Sequence, residues 1–427
     1  MRASPLYRWE RILEFEAQIE KVGFQGDGLT TAGLVVPLGL PGERVRVAGG
    51  GDRHELIEVL QPSPDRVLPV CEHFTACGGC ALQHWDMAAY SAWKHDMVSI
   101  LLDRAGLKTT VSPILTTPIQ SRRRVGLHAR KVGSKAHPLI ELGFKARKSW
   151  SLVPIKMCPV ADPAIVSALP QLRALAAYLF EHPKSAPILH VTLSLTGIDI
   201  DISGVERSRS GGLSADARMN IASLAAEADF ARVTMGDDML YMSRMPMVRF
   251  GQAKVGLPVG AFLQASADSE IEMVRLVSAA VTGSKKVADL FCGAGTFTYP
   301  LAERSVVYAA DGSAAAIASL KAAMATAPGL KTIQPEARDL FRRPWLAEDM
   351  KGFDAVVFDP PRAGAEAQCS EIARSKLGRA VGVSCNPTTF IRDAKILVNS
   401  GFSLDSVTPI DQFLWSSHVE LVAVFSR

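Results

Sequence analysis

Four short apolar segments in the last third of the chain are each followed at once by residues that carry chemistry. The segments, which read as buried strands with helical stretches between them, are Lys286–Phe291, Val306–Ala310, Ala355–Phe358 and Ala380–Val383. This alternation favours a doubly wound parallel sheet, because parallel strands are joined by crossover connections that are usually helices. Ligands of such sheets bind at the carboxyl ends of the strands, so a site is predicted there.

The residues that follow these strands form a candidate cofactor site. Gly293 and Gly295 would let the loop after the first strand turn tightly and bring its backbone close to a ligand. Asp311 follows the second strand, where a carboxylate can bind ribose hydroxyls. Only two of the three glycines of the dinucleotide fingerprint are present, so a glycine turn of another α/β domain remains an alternative. The side chains predicted to share this edge are Asp289, Asp311, Asp359 and Cys385.

Cys385 is a candidate nucleophile. A lone cysteine at a strand end is usually a small buried hydrophobic residue. This one shares a predicted sheet edge with a glycine loop and carboxylates, which favours a nucleophile. A free thiol has a pKa of about 8.5, so Cys385 would need a local positive field or hydrogen bonds to ionise substantially. Cys292 and Cys369 lack this context and are interpreted as structural.

Five ordered motifs within residues 250–427 resemble those of the RNA uracil-5-methyltransferases. The segment from Asp289 to Phe297 resembles their S-adenosylmethionine loop, and Phe262-x-Gln264 resembles a segment ahead of it. The other three motifs resemble two active-site segments and the segment with the general base, and they are Asp359-Pro-Pro-Arg362, Ser384-Cys385-Asn386-Pro387 and Ser417-His418-Val419-Glu420. The resemblance implies a Rossmann-like methyltransferase domain over residues 241–427.

The resemblance also implies a reaction. Carbon 5 of uracil is a poor nucleophile until a thiolate adds to carbon 6, and a base must later remove the carbon 5 proton. Cys385 would be the nucleophile, Glu420 the base, and Asp359 a group that holds the uracil edge. The residues implied to bind S-adenosylmethionine are Gln264, Asp289, Phe291, Gly293, Gly295, Asp311 and Asp359.

Four more of the seven cysteines form a candidate metal site: Cys71, Cys77, Cys80 and Cys158. Four thiolates suit an iron–sulfur cluster or zinc, and ligand count does not separate the two. The spacing Cys-x5-Cys-Gly-Gly-Cys, with a distant cysteine before Pro159, resembles the [4Fe-4S] site of one branch of the same family. That resemblance implies a cluster with a structural or RNA-contacting role. A disulfide framework is less favoured, because nothing marks the chain as secreted.

The first half of the chain carries features of RNA binding. Short alternating strands and glycine turns over residues 12–66 predict a small β-barrel, which resembles the OB-like TRAM module, although periodicity alone fits a generic barrel equally well. A central domain is predicted over 68–240. The net charge is only +4, but residues 121–150 contain a single acid, Glu141. Their cations could neutralise phosphates, and they are Arg122, Arg123, Arg124, Arg130, Lys131, Lys135, Lys145, Arg147 and Lys148.

Together these features predict an S-adenosylmethionine-dependent RNA uracil-5-methyltransferase that acts on 23S rRNA. A tRNA uracil-5-methyltransferase and a non-catalytic RNA-binding or assembly factor are the alternatives. Methylation of a base amino group is less favoured, because Arg362 stands where those enzymes have an aromatic residue. No apolar run approaches the ~18 residues of a membrane span, and the first residues show no apolar signal core. A cytoplasmic enzyme with no membrane contact and no obligate protein partner is therefore expected.

Overall fold

The computed structural model describes residues 13–134, 137–206 and 212–427. Residues 1–12, on which the expectation about a signal segment rests, and Lys135 of the basic stretch lie outside this range. The chain divides into two compact units. The first comprises Met1–Thr75, Cys80–Trp93 and Trp415–Ser417, and the second comprises Ala76–Gly79, Lys94–Leu414 and His418–Arg427. The predicted domain boundaries at residues 66 and 240 stay predictions.

The first unit contains a closed five-stranded barrel with the order β1-β2-β3-β5-β4. Its strands are β1 (Leu13–Val22), β2 (Gly28–Thr30), β3 (Val35–Val36), β4 (Arg44–Gly50) and β5 (Arg53–Gln61). Valines at 45 and 47 of β4 are buried with Ile19 and Val36, while the alternate residues Arg44 and Arg46 are not buried. This period of two is that of a strand with one face in a core, and the predicted N-terminal barrel is confirmed.

The chain continues with α1 (Met87–Arg104), β6 (Thr110–Val111) and β7 (Leu115–Thr116), and then forms a seven-stranded sheet. The strands of this sheet are β8 (Arg124–Gly133), β9 (Pro138–Lys145), β10 (Leu152–Pro154), β11 (Ile188–Ser194), β12 (Gly197–Ser203), β13 (Arg232–Met235) and β14 (Asp238–Met242). Between them lie α2 (Pro163–Ser167), α3 (Leu169–Ala176), a 3-10 turn (Ala177–Leu179) and α4 (Ala215–Glu227). Leu172 of α3 and Ile221 of α4 share one core with Leu189 and Ile200 of the sheet.

A hairpin of β15 (Met247–Phe250) and β16 (Ala253–Gly256) leads into the predicted methyltransferase region. The elements that follow are α5 (Ala267–Ala280), β17 (Lys286–Leu290), α6 (Thr298–Ala302), β18 (Val306–Asp311), α7 (Ala314–Met324), β19 (Ile333–Ala337), β20 (Ala355–Phe358), α8 (Glu366–Arg374), β21 (Arg379–Ser384), α9 (Pro387–Asn399), β22 (Ser403–Asp411) and β23 (Glu420–Ser426). The predicted strands thus match β17, β18, β20 and β21 to within two residues at each end. Among the described helices, none has the length and apolar character that a membrane crossing needs.

The second large sheet has the order β19-β18-β17-β20-β21-β23-β22-β6, with β7 also paired to β22. The chain moves outward from β17 to β19 and then crosses back to β20, so the direction of winding reverses between β17 and β20. Such a reversal leaves a crevice at the carboxyl ends of the two strands, where ligands bind. The α/β fold class with a Rossmann-like sheet is confirmed.

The sheet was predicted to be parallel, but only part of it is. The strands from β19 to β21 are parallel, but β23 inserts between β21 and β22 and is antiparallel to both. Ser384 pairs with Leu421, so the first residue of β23, Glu420, lies at the edge where β21 ends. The antiparallel return therefore brings a residue from the start of a strand to the carboxyl edge of the parallel strands.

Candidate active site

A cavity of about 910 Å³ lies at the carboxyl edge of the parallel strands. The predicted site residues that line it come from six separate segments, and they are Gln264, Phe291, Gly293, Asp311, Asp359, Cys385 and Glu420. Asp289 and Gly295 are predicted site residues that do not line it. The cavity therefore joins the predicted cofactor loop to the predicted nucleophile and base.

The loop after β17 presents open backbone to this cavity. Gly293 has φ +55°, and a Cβ built on it would meet no atom within 4 Å. Its N–H donates to Oδ2 of Asp311 at 2.9 Å, and Ser313 N–H donates to Oδ1 at 2.7 Å. Each carboxylate oxygen keeps a second acceptor site, so Asp311 can still bind hydroxyls. These features fit a nucleoside cofactor that lies against the loop.

Gly295 serves the shape of the loop. It has φ +108°, and a Cβ at this position would lie 2.7 Å from the ring of Tyr299. Any larger residue would strain the backbone and displace the buried Tyr299 side chain, which packs in the core under the loop. Gly295 thus holds the loop in place without facing the cavity.

Asp289 lies in the interior next to the loop. Its side chain is fully buried and accepts a hydrogen bond from Thr298 Oγ1 at 2.6 Å, while Oδ1 has no partner within the described part of the chain. Burial raises the pKa of Asp289 to about 7, and the neighbouring carboxyls of Asp359 and Asp311 act in the same direction. Direct contact between Asp289 and the cofactor stays a prediction.

Cys385 occupies the turn between β21 and α9. Asn386 caps α9, because its Oδ1 accepts the N–H of Thr388 at 3.1 Å, and Pro387 takes the first helical position. Asn386 Nδ2 also donates to the carbonyl of Arg362 at 3.1 Å, which ties the turn that contains Cys385 to the loop after Asp359. The cap and this hydrogen bond together fix the backbone on which the thiol stands.

The electrostatics around Cys385 differ from the positive field that the sequence analysis called for. Burial of the half-exposed thiol raises its pKa to about 11, and the carboxyls of Glu420 and Asp359 raise it further. Arg362 opposes them and has the smaller effect. The thiol is therefore protonated at neutral pH in the protein without ligands.

Two carboxyls of the same cavity, Glu420 and Asp359, also have raised pKa values. Burial raises the pKa of Glu420 to about 8, and the nearby Asp359 adds to the shift. Burial likewise raises the pKa of Asp359 to about 7. Both groups have a pKa close to neutrality, which suits groups that take up and release protons during a reaction.

Comparison with known proteins places this geometry in a family. A family model described as tRNA (Uracil-5-)-methyltransferase matches residues 255–427. An RNA methyltransferase of Caulobacter vibrioides is 56% identical over 413 residues, which cover 96% of this chain and 99% of that protein. The 23S rRNA (uracil(1939)-C(5))-methyltransferase RlmD of Vibrio cholerae is 30% identical, with 96% and 95% covered. The chain belongs to the RNA uracil-5-methyltransferase family.

A solved structure agrees over nearly the whole chain. The Pyrococcus abyssi tRNA (uracil-54, C5)-methyltransferase in complex with S-adenosyl-L-homocysteine matches with a TM-score of 0.70 at 25% identity, and the match covers 96% of this chain and 99% of that one. This protein is thus an S-adenosylmethionine-dependent RNA methyltransferase that acts on uracil carbon 5. The cavity described above is its candidate active site.

Gln412 is a residue of the candidate site that was not predicted from the sequence of this methyltransferase. The residue follows β22, is buried, and forms hydrogen bonds with the side chains of Glu420, Gln264 and Ser269. No motif used in the sequence analysis includes position 412. A glutamine eight residues before the predicted base, Glu420, was a possible sequence signal for this role. Only the fold shows which side chains the glutamine contacts.

Part of the predicted RNA-binding stretch serves this site from within the protein. Arg123 donates to the carbonyl of Gln264 at 3.0 Å and forms an ion pair with Glu270 at 2.5 Å. Arg124 donates to the carbonyl of Leu263 at 3.0 Å, and its guanidinium lies 5.7 Å from the centre of the Phe262 ring. The basic residues of 121–150 were all predicted to neutralise phosphates. Arg123 and Arg124 instead bind the protein segment that contains Gln264.

The four predicted cluster ligands are distributed over the two units of the chain. Cys71 and Cys80 belong to the first unit, Cys77 and Cys158 belong to the second, and all four are partly buried. Within residues 13–134, 137–206 and 212–427, no group of three or more His, Cys, Asp or Glu side chains is arranged to hold a metal ion. The [4Fe-4S] cluster therefore stays a prediction, and no step of the reaction is derived through it.

Proposed function

We propose that the protein methylates carbon 5 of a specific uridine in 23S rRNA through a covalent adduct between Cys385 and the uracil. Glu420 is the general base, and Asp359 binds the uracil edge. The observation that carries the proposal is the single cavity that holds these three side chains together with the glycine loop and Asp311. The full-length similarity to RlmD supports 23S rRNA as the substrate.

The proposed reaction uses each group in turn. The thiol of Cys385 gives up its proton to solvent, and the resulting thiolate adds to carbon 6. The carbon 5–carbon 6 double bond opens, and its electrons move to the oxygen on carbon 4. Carbon 5 then takes a methyl group, which S-adenosylmethionine supplies when bound. Glu420 removes the proton from carbon 5, and the restored double bond expels the sulfur from carbon 6. The enzyme regains its thiol when the proton returns to Cys385.

The raised pKa values fit a site that ionises only when it is loaded. In the ligand-free protein, a carboxylate at Glu420 or Asp359 disfavours the thiolate of Cys385, and burial raises the pKa of these two carboxyls to about 8 and about 7. A positive charge placed in this cavity favours the ionised form of all three groups. S-adenosylmethionine would supply such a charge through its sulfonium if it were bound there, and Cys385 would then ionise more readily.

The residues proposed to hold the cofactor form two sets. Gly293 and Asp311 offer an open backbone and a carboxylate to the nucleoside. On the other side, Gln264 donates from Nε2 to Oδ2 of Asp359 at 3.2 Å, which keeps both side chains in the wall of the cavity. Phe291 and Phe341 also line the cavity, and their ring centres lie 5.4 Å apart, so they offer apolar surface to a flat ring.

A methyl-transfer assay tests the proposal. The purified enzyme is incubated with labelled S-adenosylmethionine and either ribosomal or transfer RNA from a strain that lacks the gene, and 5-methyluridine is mapped by mass spectrometry. We expect methylation at one uridine of 23S rRNA and none with Cys385→Ala. Methylation of tRNA alone would establish the alternative substrate, which the Pyrococcus relative favours. Absence of 5-methyluridine from both RNAs would instead favour the non-catalytic factor.

The proposal also includes a cellular location and an iron–sulfur cluster. A ribosomal RNA substrate would place the enzyme in the cytoplasm, which cell fractionation can check. The [4Fe-4S] cluster at Cys71, Cys77, Cys80 and Cys158 is proposed on the spacing of these cysteines alone, with no role in methyl transfer.

A further inference from the structure

We propose that Gln412 is a positioning residue for methyl transfer to uracil. It holds Oε1 of Glu420 by a hydrogen bond and leaves Oε2 as the oxygen that accepts the carbon 5 proton. Through Gln264 it also links Glu420 to Asp359, so that base and uracil-binding group are set by one chain of hydrogen bonds. This inference rests on the proposed role of Glu420.

The orientation of the Gln412 amide is fixed by a group that can only donate. The backbone N–H of Ala265 lies 3.1 Å from Oε1 of Gln412, and the hydroxyl of Ser269 lies 3.3 Å from the same atom. An N–H cannot accept a hydrogen bond, so the atom facing Ala265 must be the amide oxygen. The amide nitrogen of Gln412 must then face the other way, towards Glu420 and Gln264.

This orientation determines the direction of every hydrogen bond that follows. The Nε2 of Gln412 donates one proton to Oε1 of Glu420 at 2.7 Å and the other to Oε1 of Gln264 at 3.0 Å. Because Gln264 accepts with its oxygen, its own Nε2 is the atom that donates to Oδ2 of Asp359 at 3.2 Å. One backbone N–H therefore assigns the donors and acceptors of four side chains.

The consequence for the base follows from this direction. Oε1 of Glu420 faces an N–H donor, so a proton taken up by this carboxyl goes to Oε2. In the same way, Oδ2 of Asp359 accepts from Gln264, so Oδ1 is the oxygen that carries a proton when Asp359 is neutral. Gln412, Gln264 and Glu420 are all buried, with 2–4% of their surface exposed, so water does not compete well for these bonds.

The hydrogen bond from Gln412 also opposes the other influences on Glu420. It favours the carboxylate form, whereas burial and the negative charge of Asp359 favour the protonated form. Several charged and titratable groups surround the pair. They are Asp359 and Arg362 after β20, Cys385 after β21, Asp411 with Lys94 beside Gln412, Glu270 on α5 with its ion-pair partner Arg123, and Arg122, which donates to the Gln412 carbonyl. All of them remain when Gln412 alone is replaced.

The experiment measures how the reaction depends on pH in Gln412→Met, which keeps the size of the side chain and removes the donor. The kcat for release of methylated RNA is followed from pH 6 to pH 10. We expect the acid limb to move up by about one pH unit, because a hydrogen bond to a charged group is lost. The rate should fall about tenfold at pH 7 and recover at high pH. A purely structural role would instead lower the rate equally at all pH values, and that result would overturn the proposal.

Two further variants keep the test decisive. Gln412→Glu replaces the donor with a second carboxyl against Oε1 of Glu420, so the acid limb should move further up than in Gln412→Met. Gln368→Met is the matched control, because Gln368 is buried and hydrogen-bonds both the N–H and the carbonyl of Trp345, away from the cavity. It should lower the melting temperature and leave the pH profile unchanged. An acid limb in the same place in wild type and Gln412→Glu would also refute the inference.

The variant Glu420→Gln tests the proposed function independently of the Gln412 variants. If that variant turns over like the wild type, Glu420 is not the base and the proposed function fails with it. If Glu420→Gln stalls while both Gln412 variants keep the wild-type pH profile, only the inference about Gln412 fails. Calorimetric binding of S-adenosylhomocysteine to each variant confirms that the site is folded.

Discussion

Glu420→Gln separates the two halves of the proposed reaction. The amide of the variant can still accept the hydrogen bond that Gln412 donates to Oε1 at 2.7 Å, so the geometry of the wall is retained. The variant loses the ability to take the carbon 5 proton. It also removes a carboxyl that raises the pKa of Cys385, so addition of the thiolate to carbon 6 is not impaired. We therefore expect methyl transfer to proceed and elimination to stall.

The size of the effect depends on pH in a way that the structure specifies. Loss of a general base costs about 10²–10⁴-fold in rate. Burial raises the pKa of Glu420 to about 8, so only roughly one-tenth of the free wild-type enzyme has the carboxylate at pH 7, and most has it at pH 9. The ratio of wild-type to variant kcat should accordingly grow about tenfold between pH 7 and pH 9.

A denaturing gel with labelled methyl donor and with labelled RNA provides the assay. The stalled species should be a protein–RNA adduct that contains both labels, and Cys385→Ala added to Glu420→Gln should abolish it. An adduct that carries RNA but no methyl label would place the block before methyl transfer and refute the assignment of Glu420 as the base. A ratio of rates that is constant from pH 7 to pH 9 would refute the link between burial and proton removal.

Three other predictions concern the cysteines, the RNA and the interior. Anaerobically purified protein should contain about four iron and four sulfide per chain, and Cys158→Ala should lose them, whereas stoichiometric zinc without iron would refute the cluster. Trp150, which is 89% exposed with Lys145 close to its ring, should contact RNA. Trp150→Ala should therefore raise the KM for RNA by the equivalent of about 1–3 kcal/mol and leave kcat unchanged. The control Leu139→Ala should leave both constants unchanged. Burial raises the pKa of Asp289 to about 7, above its unfolded value of about 3.9, so the folded state binds more protons and wild-type stability falls as pH rises from about 4 to 7. Asp289→Asn keeps an acceptor for Thr298 and should flatten this slope in calorimetric melting, and parallel slopes would contradict the assignment.

The parallel part of the large sheet could be predicted because each strand is a short apolar run with polar residues after it. Val356 and Val357 of β20, for example, are fully buried, and Asp359 follows the last residue of that strand. Such local signals fix where a strand ends, and the rule that parallel strands share a carboxyl edge then brings Asp311, Asp359 and Cys385 together. No local signal shows that β23 runs antiparallel, since direction depends on pairing with β21.

Ionisation could not be predicted from the sequence for a different reason. The motif of Cys385 suggested an activated thiol, but the pKa depends on how much water the fold removes and on which charges the fold places nearby. In the structure, burial and two carboxyls outweigh Arg362 at Cys385. The departure is informative, because a site that disfavours the thiolate without ligands limits the reactivity of Cys385 until a cation enters the cavity.

The contacts of Gln412 could not be predicted from sequence motifs. Gln264 and Gln412 lie 148 positions apart, and Glu420 follows Gln412 by eight, so no periodic pattern connects them. What joins them is the end of β22, where Gln412 lies between the start of α5 and the first residue of β23. Arg123 and Arg124 donate hydrogen bonds to the carbonyls of Gln264 and Leu263, in the segment that leads to Ala265. Two arginines that the sequence assigned to RNA thus support the backbone N–H that orients the amide, and through the amide they help to position the proposed base.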